Sequence, residues 1–453
     1  MTSTFSDGGL AGLRHREFAR LDEGGHAYLD YTGAALYGAS QIAAHHGRLL
    51  RDVLGNPHSE NPASAESTTR MQRLRQRVLT FFNADPGEYD VILTANASGA
   101  ARLVGEGFPF GSNSRFVLTA DNHNSINGIR CYAQSAGADV CYVPLDRSLQ
   151  SLDPVPWLDG AARDVPHLFA FPAQSNYSGH RHPLAWVEIA RSLGYQILLD
   201  AAALVPTSPL NLHSVRPDFV SVSFYKMFGF PTGIGALIVR RPALDLLRRP
   251  WFAGGTVDWV STQRVAHALR EGAEAFEDGT PHFLAFDAVS DGLDLLEGIG
   301  MRRIDAHVRS MTAGLLDGLA GLRHPGGRPI IEFHGSTGLA NRGGTVTFNV
   351  LDAAGRAVPF DHVVAAATAR RVSVRGGCFC NPGCAEAALG FTADRVATCL
   401  DLLGRSFTSA AFSACVDGPV GAVRASVGIP TNAADIDRLL ECLEGYRGVR
   451  LAA

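Results

Sequence analysis

Apolar and polar positions along this chain fall into two textures. Over residues 64–83, Met71, Leu74, Val78 and Phe81 recur at helical spacing, and Asp85-Pro86-Gly87 closes the run. Short apolar, β-branched or aromatic runs follow at 91–94, 116–119, 140–143, 168–171, 197–200, 219–223 and 235–239. Most are separated by enough chain for a crossover, and most read as buried on both faces. The pattern predicts an α/β fold built on a mostly parallel seven-stranded sheet covered by helices. In such sheets chemistry sits beyond the carboxyl ends of the strands. Thr94, Asp121, Asn122, His123, Gln174, Ser175, Asn176, Asp200 and Lys226 stand at those ends.

After about residue 290 the texture changes. A long helical stretch leads to strand-like runs at 345–352, 372–375 and 423–427, with helices such as 432–446 between or after them. This predicts a smaller α+β domain. The expected division is a large domain over 27–290 and a small one made of 1–26 and 291–453. No repeats or low-complexity tracts are visible, and Gly343-Gly344 and Pro325-Gly326-Gly327 read as turns.

Composition adds bounds rather than a function. The length fits two or three structural units with a large core. A hydrophobic content of 46% and a charged content of 19% describe an ordinary globular enzyme, and a net charge of −4 offers no broad basic field for nucleic acid or an anionic membrane. The first nine residues lack a signal-peptide pattern, and no apolar run is long enough to span a bilayer. A cytoplasmic location is expected.

One basic residue changes the picture. Of forty basic side chains, Lys226 is the sole lysine, leaving thirty-nine arginines. A guanidinium stays charged and is a poor nucleophile, whereas a desolvated ammonium can lose its proton and form a Schiff base. A single surface lysine surviving codon bias is the plain alternative. The segment D-F-V-S-V-S-F-Y-K-M-F-G-F-P-T-G-I-G-A-L-I-V-R opposes it, because it reads strand, turn, glycine loop, strand, and places the amine at the end of a buried strand.

Cysteines divide into two groups. Cys131, Cys141, Cys399, Cys415 and Cys442 lie scattered in apolar contexts and read as buried small hydrophobes rather than a disulfide framework. Cys378, Cys380 and Cys384 cluster in R-G-G-C-F-C-N-P-G-C. Soft thiolates select zinc, but a complete site needs a fourth ligand and none is obvious nearby, so no metal is expected.

An aspartate closing one strand with a lysine 26 residues later resembles the fold-type I pyridoxal 5'-phosphate (PLP) enzymes. Within that group the chain resembles the class V aminotransferase, or NifS-like cysteine desulfurase, superfamily, and most of all the N-terminal domain of molybdenum cofactor sulfurases. The matching segments run in order along nearly the whole chain: Y-L-D-Y-T-G-A-A-L from 28, G-N-P-H-S from 55, P-A-Q-S-N-Y-S-G from 172 and L-L-D-A-A from 198. They continue with S-F-Y-K-M-F-G-F-P-T-G-I-G-A-L from 223, F-E-D-G-T from 276, the cysteine loop, and V-R-A-S-V-G around Arg424.

The resemblance implies a set of roles. Lys226 would hold PLP and later move the substrate proton, and Asp200 would keep the pyridinium protonated so that the ring acts as an electron sink. As a helix cap, Asp200 would need no cofactor. His123 would stack on the ring, although a lone histidine at a strand end is more often structural. Ala97 and Ser98 would cradle the phosphate at a helix N-terminus, with Ser223 and Tyr225 as further donors. Thr280 would reach the phosphate of a neighbouring subunit, which implies a homodimer. Asn176 would contact the ring's phenolate oxygen and the substrate, and Arg424 would grip the substrate carboxylate. One departure stands out: many desulfurases carry glutamine or histidine three residues after the aspartate, and here that position is Ala203.

The expected reaction is conversion of L-cysteine to L-alanine with a persulfide left on Cys380, for transfer to an unidentified acceptor, protein or small molecule. Because the chain ends soon after the 432–446 helix, the second domain of full-length molybdenum cofactor sulfurases is expected to be absent. The rival readings are another class V PLP reaction, such as a selenocysteine or C–S lyase, an epimerase or an aminotransferase, and a non-catalytic sulfur-transfer scaffold.

Overall fold

The computed structural model describes residues 9–162 and 164–450. Residues 1–8, which carry most of the segment read as lacking a signal sequence, lie outside the described residues, as do 451–453. Each of the seven apolar runs is a strand of one sheet: Tyr89–Thr94, Arg115–Thr119, Asp139–Val143, His167–Pro172, Tyr195–Asp200, Phe219–Ser223 and Gly235–Arg240. Across the sheet they lie in the order 89–94, 235–240, 219–223, 195–200, 167–172, 115–119, 139–143.

All neighbours pair in parallel except Gly235–Arg240, which runs against both Tyr89–Thr94 and Phe219–Ser223. The reason is length. A parallel return needs a crossover of a dozen or more residues, usually through a helix, and only the short segment 224–234 links these two strands. The inner strands are buried on both faces, with Leu168, Phe169, Ala170 and Phe171 fully enclosed, whereas the edge strand Asp139–Val143 is partly exposed.

The predicted helix is Pro62–Phe81, capped by the Asn61 side chain on Ser64 N–H, with Met71, Leu74 and Val78 buried. Helices Phe286–Ile299 and Met301–Gly321 form the long helical stretch. A second sheet follows, antiparallel, in the order Ile331–His334, Thr345–Val350, Ala422–Ser426, Arg375–Gly377. The run read as one strand at 372–375 is two. Val372–Ser373 pairs in parallel with Ala27–Tyr28, and Arg375–Gly377 joins Ala422–Ser426. Ile331–His334 and the hairpin Val257–Ser261/Ala266–Leu269 went unread in the sequence.

Four of the five scattered cysteines are corrected. Cys399 and Cys415 form a disulfide between helices Ala393–Leu403 and Ser409–Val416. Their separation of 16 residues spans a helix–turn–helix that brings them face to face, which apolar context alone could not show. Cys131 is exposed and Cys141 only half-buried, and Cys442 is buried as expected. Among the described residues no helix is long and apolar enough to cross a membrane.

Candidate active site

Lys226 is not at the end of its strand. The strand stops at Ser223, and one helical turn, Phe224–Phe228, places the lysine three residues beyond it. Phe224, Met227 and Phe228 are buried and anchor this turn, while Tyr225 and Lys226 are half-buried and line a cavity of about 120 Å³. The following Gly229 has φ +80°, and a Cβ there would come within 2.4 Å of Tyr37 N, so the glycine lets the loop press against the 35–37 backbone. Among the described residues the Lys226 amine has no hydrogen-bonding or ion-pair partner. Burial lowers its pKa, opposed by the nearby charge of Asp200.

Asp200, Ser98, His123, Asn176, Ser223 and Tyr225 share that cavity with Gln174, Ala203 and the backbone of Ala97. Asp200 Oδ1 accepts from Ala202 N–H and from Ser221 Oγ–H, each at 3.0 Å, and its Oδ2 has no protein partner among the described residues. The residue both caps the turn and leaves one carboxylate oxygen free.

His123 Nδ1 accepts from Ser125 N–H at 3.1 Å, which puts the proton of the neutral ring on Nε2. Burial first, then the Lys226 charge, lowers its pKa and favours that neutral form. Ser223 Oγ accepts from Ala97 N–H at 2.8 Å, and Ser98 Oγ lies 2.5 Å from Ser125 Oγ. Both groups stand at the N-terminus of helix Ala97–Gly107, whose cap is Asn96, accepting from Gly99 N–H at 3.0 Å. Asn96 also lines the cavity and was not singled out in the sequence, although an asparagine just before a helical run is a capping signal. Ala203 brings no polar side chain, and Gln174 Nε2 donates to its carbonyl at 2.9 Å.

Asn176 is committed differently from the expectation. Its Nδ2 donates to Phe379 O at 2.8 Å and its Oδ1 accepts from Asn381 Nδ2 at 2.9 Å, so both ends of the amide hold the cysteine loop. Thr280 is not brought to the Lys226 cavity at all. It is exposed, lining a separate cleft of about 390 Å³ and a second one with His58 and Arg270.

Cys378 and Cys380 are exposed and Cys384 is buried, its Sγ 3.8 Å from Ser175 Oγ. Burial, and then the charge of Asp121, push the Cys384 thiol pKa well up, which disfavours its thiolate. The loop is clamped to the 120–124 turn: Cys380 O accepts from Asn124 N–H at 2.8 Å and Asn381 Nδ2 donates to Asp121 O at 2.7 Å. A Cβ on Gly383 would lie 2.1 Å from Ala120 O, so this contact requires glycine.

Arg424 is buried. Its Nη1 donates to Asn176 O at 2.9 Å, its Nη2 meets Asp30 Oδ1 at 3.2 Å, and its Nε has no partner. Burial pushes its pKa down to about 10. Asp30 is also held by Arg375 through Nη2 at 2.6 Å. The sequence reading missed both Asp30 and Arg375. They lay inside the quoted Y-L-D-Y and R-G-G-C segments, but nothing local signalled that they would meet. Among the described residues no group of three or more His, Cys, Asp or Glu side chains is placed to hold a metal.

A lone amine, a carboxylate with a free oxygen, an imidazole and a helix N-terminus fringed by hydroxyls converge on one cavity. This donor set fits a phosphorylated pyridine aldehyde: the amine suits the aldehyde, the carboxylate a ring nitrogen, and the helix terminus a phosphate.

Comparison with known proteins agrees with that fit. The family model described as aminotransferase class-V matches residues 27–439. Molybdenum cofactor sulfurase of Bos taurus is 36% identical over 98% of this chain and 52% of its own length, and that of Homo sapiens is 34% identical over 96% and 51%. The chain thus spans about half the length of these curated relatives. Among solved structures, a cysteine desulfurase from Thermococcus onnurineus NA1 superposes with a TM-score of 0.75 at 23% identity, covering 96% of this chain and 97% of that one. The cysteine desulfurase CsdA from Escherichia coli gives 0.76 at 20% identity, covering 97% and 98%, and the cystine C–S lyase C-DES gives 0.71 at 18%, covering 95% and 100%. At these identities the structures attest the fold.

Proposed function

The chain belongs to the aminotransferase class-V family, with PLP as its cofactor, and on that premise we propose that it is a cysteine desulfurase converting L-cysteine to L-alanine and leaving the sulfur as a persulfide on Cys380. The observation that carries this reading is an exposed thiol, Cys380, on a loop hydrogen-bonded to Asn124, next to His123, and to Asn176, while His123 and Asn176 both line the Lys226 cavity. Other reactions on the same scaffold have no need of that thiol.

Lys226, Asp200, His123, Ser98, Ser223, Tyr225 and the Ala97 backbone would hold PLP, which when bound supplies an electron sink for the substrate's α-carbon. Burial lets Lys226 give up its proton, so the amine serves as nucleophile and then as base and acid at the substrate carbons. Asp200 Oδ2 would hold a proton on the ring nitrogen. Arg424, with Nε unpartnered, would orient the substrate carboxylate, and Asn176 would position both substrate and loop. Cys380, as thiolate, attacks the sulfur of the substrate: the carbon–sulfur bond breaks, a sulfur–sulfur bond forms, and the released carbon takes a proton to become alanine.

The persulfide sulfur then passes to an acceptor, protein or small molecule, that is yet to be identified; molybdenum cofactor is one candidate, given the relatives. We place the enzyme in the cytoplasm as a homodimer in which Thr280 serves the neighbouring subunit's phosphate site, and we keep the division into a large domain over 27–290 and a small one. The deciding experiment is a single turnover with L-cysteine. One alanine per reducible sulfur adduct on Cys380 supports the reading, and alanine-free release of sulfide without an adduct sinks it in favour of a C–S lyase.

A further inference from the structure

Phe379, the residue between the two exposed cysteines, has no role in the chemistry proposed above, yet its side chain and its carbonyl are both held. Phe379 and Cys380 both adopt left-handed backbone conformations, with φ of 56° and 54°. Two consecutive non-glycine residues in that region are unfavourable and persist only where the surroundings enforce them. The Phe379 side chain is held in place. It is 7% exposed in an apolar cluster with Tyr177 and Ala422, while the cysteines on either side are exposed. Its ring centroid is 4.7 Å from the Arg424 guanidinium carbon and 5.2 Å from the Tyr177 ring. A guanidinium at this distance from an aromatic ring is attracted to it, more so when water is excluded. The Phe379 carbonyl is held as well, by Asn176 Nδ2 at 2.8 Å.

From this geometry we infer that Phe379 is a positioning residue. Its ring, seated on Arg424, fixes the strained backbone that presents Cys380 and ties the thiol's position to the arginine proposed to receive the substrate carboxylate. The same arginine donates to the Asn176 carbonyl, and the Asn176 side chain holds the Phe379 carbonyl, so the buried cation contacts both the loop and the residue that clamps it. The role of the thiol rests on the function proposed above; the anchoring of the loop does not.

Hydrogen exchange on the PLP-loaded enzyme tests it, read at the peptides containing Asn124, whose N–H bonds Cys380 O, and Asn381, whose N–H bonds Cys378 O. Phe379→Ala is expected to speed exchange there about tenfold while the Phe219–Ser223 strand stays protected. Phe379→Leu keeps the burial but removes the ring, and is expected to behave as Phe379→Ala does. In both, kcat with cysteine falls, KM changes little and the cofactor spectrum is unchanged. Wild-type exchange in Phe379→Ala, or faster exchange spread over the whole chain in both variants, overturns the anchoring role. Wild-type exchange in Phe379→Leu overturns the arginine link. Cys380→Ser measured alongside separates the two ideas: if it still makes persulfide while the exchange result holds, only the role given to Cys380 falls.

Discussion

Arg424 and Asp30 face each other inside the protein, Nη2 to Oδ1 at 3.2 Å, with the arginine side chain 3% exposed. A carboxylate therefore already sits on the residue proposed to bind the substrate's carboxylate, and Arg375 shares it. Arg424 Nε has no partner, and Nη1 and Nη2 each keep a second N–H, so a substrate would engage these donors or displace Asp30.

Replacing Arg424 by lysine keeps a charge but loses the fork. Arg424→Lys is expected to raise KM for cysteine by about tenfold or more, equivalent to about 1.4 kcal/mol of binding. Steady-state kinetics check this, and an unchanged KM would remove Arg424 from the substrate site.

Lys226→Arg should yield a colourless protein that borohydride cannot link to PLP. Since Lys226 is the only lysine, wild-type protein should carry the reduced cofactor on a single peptide. A yellow Lys226→Arg variant would refute the assignment.

Asp200→Asn should still bind PLP, because its turn bond to Ala202 N–H survives in the amide, but turnover should fall by more than about tenfold, or about 1.4 kcal/mol of barrier. A smaller loss would leave Asp200 as a turn cap.

The three loop cysteines should separate by reactivity. Alkylation mapped by mass spectrometry should find Cys378 and Cys380 modified at least about tenfold faster than buried Cys384 in the native enzyme. Cys380→Ser should lose alanine formation with its spectrum intact. If Cys378→Ser alone is inactive, the persulfide carrier is Cys378 and the chemistry stands.

Acid should destabilise the fold in part through His180. Burial, and then the neighbouring His182, push its pKa from 6.5 down to about 4. Above pH 6.5 the ring is neutral folded or unfolded and costs nothing. Between about 6.5 and about 4 the unfolded chain takes up a proton that the folded one refuses, so stability falls as pH falls. Thermal melts at pH 8 and pH 5 should show a smaller drop for His180→Gln than for wild type. An equal drop would assign the effect to the other buried histidines.

Much of the fold was legible because burial on two faces leaves an unmistakable trace. All seven central strands stand where their apolar runs stood, and the helix expected at 432–446 is Ala433–Glu444, capped by Asn432. The 372–375 run was misread because a change of pairing partner between Ser373 and Arg375 leaves no mark on hydropathy. The hairpin at 257–269 was missed because none of its strand residues is buried, so it carries no burial pattern.

By itself the sequence determined the sheet, the singular amine and the candidates at the strand ends, since periodicity and residue chemistry are local properties. Tertiary structure decided how those candidates are used. It put Lys226 on a helical turn rather than a strand end, committed both ends of the Asn176 amide to the cysteine loop, left Thr280 outside the cavity, and laid Asp30 and Phe379 on Arg424. These are contacts between residues up to hundreds of positions apart. They arise when two sheets and their loops pack, and hydrogen-bond partners follow from that packing rather than from neighbours along the chain.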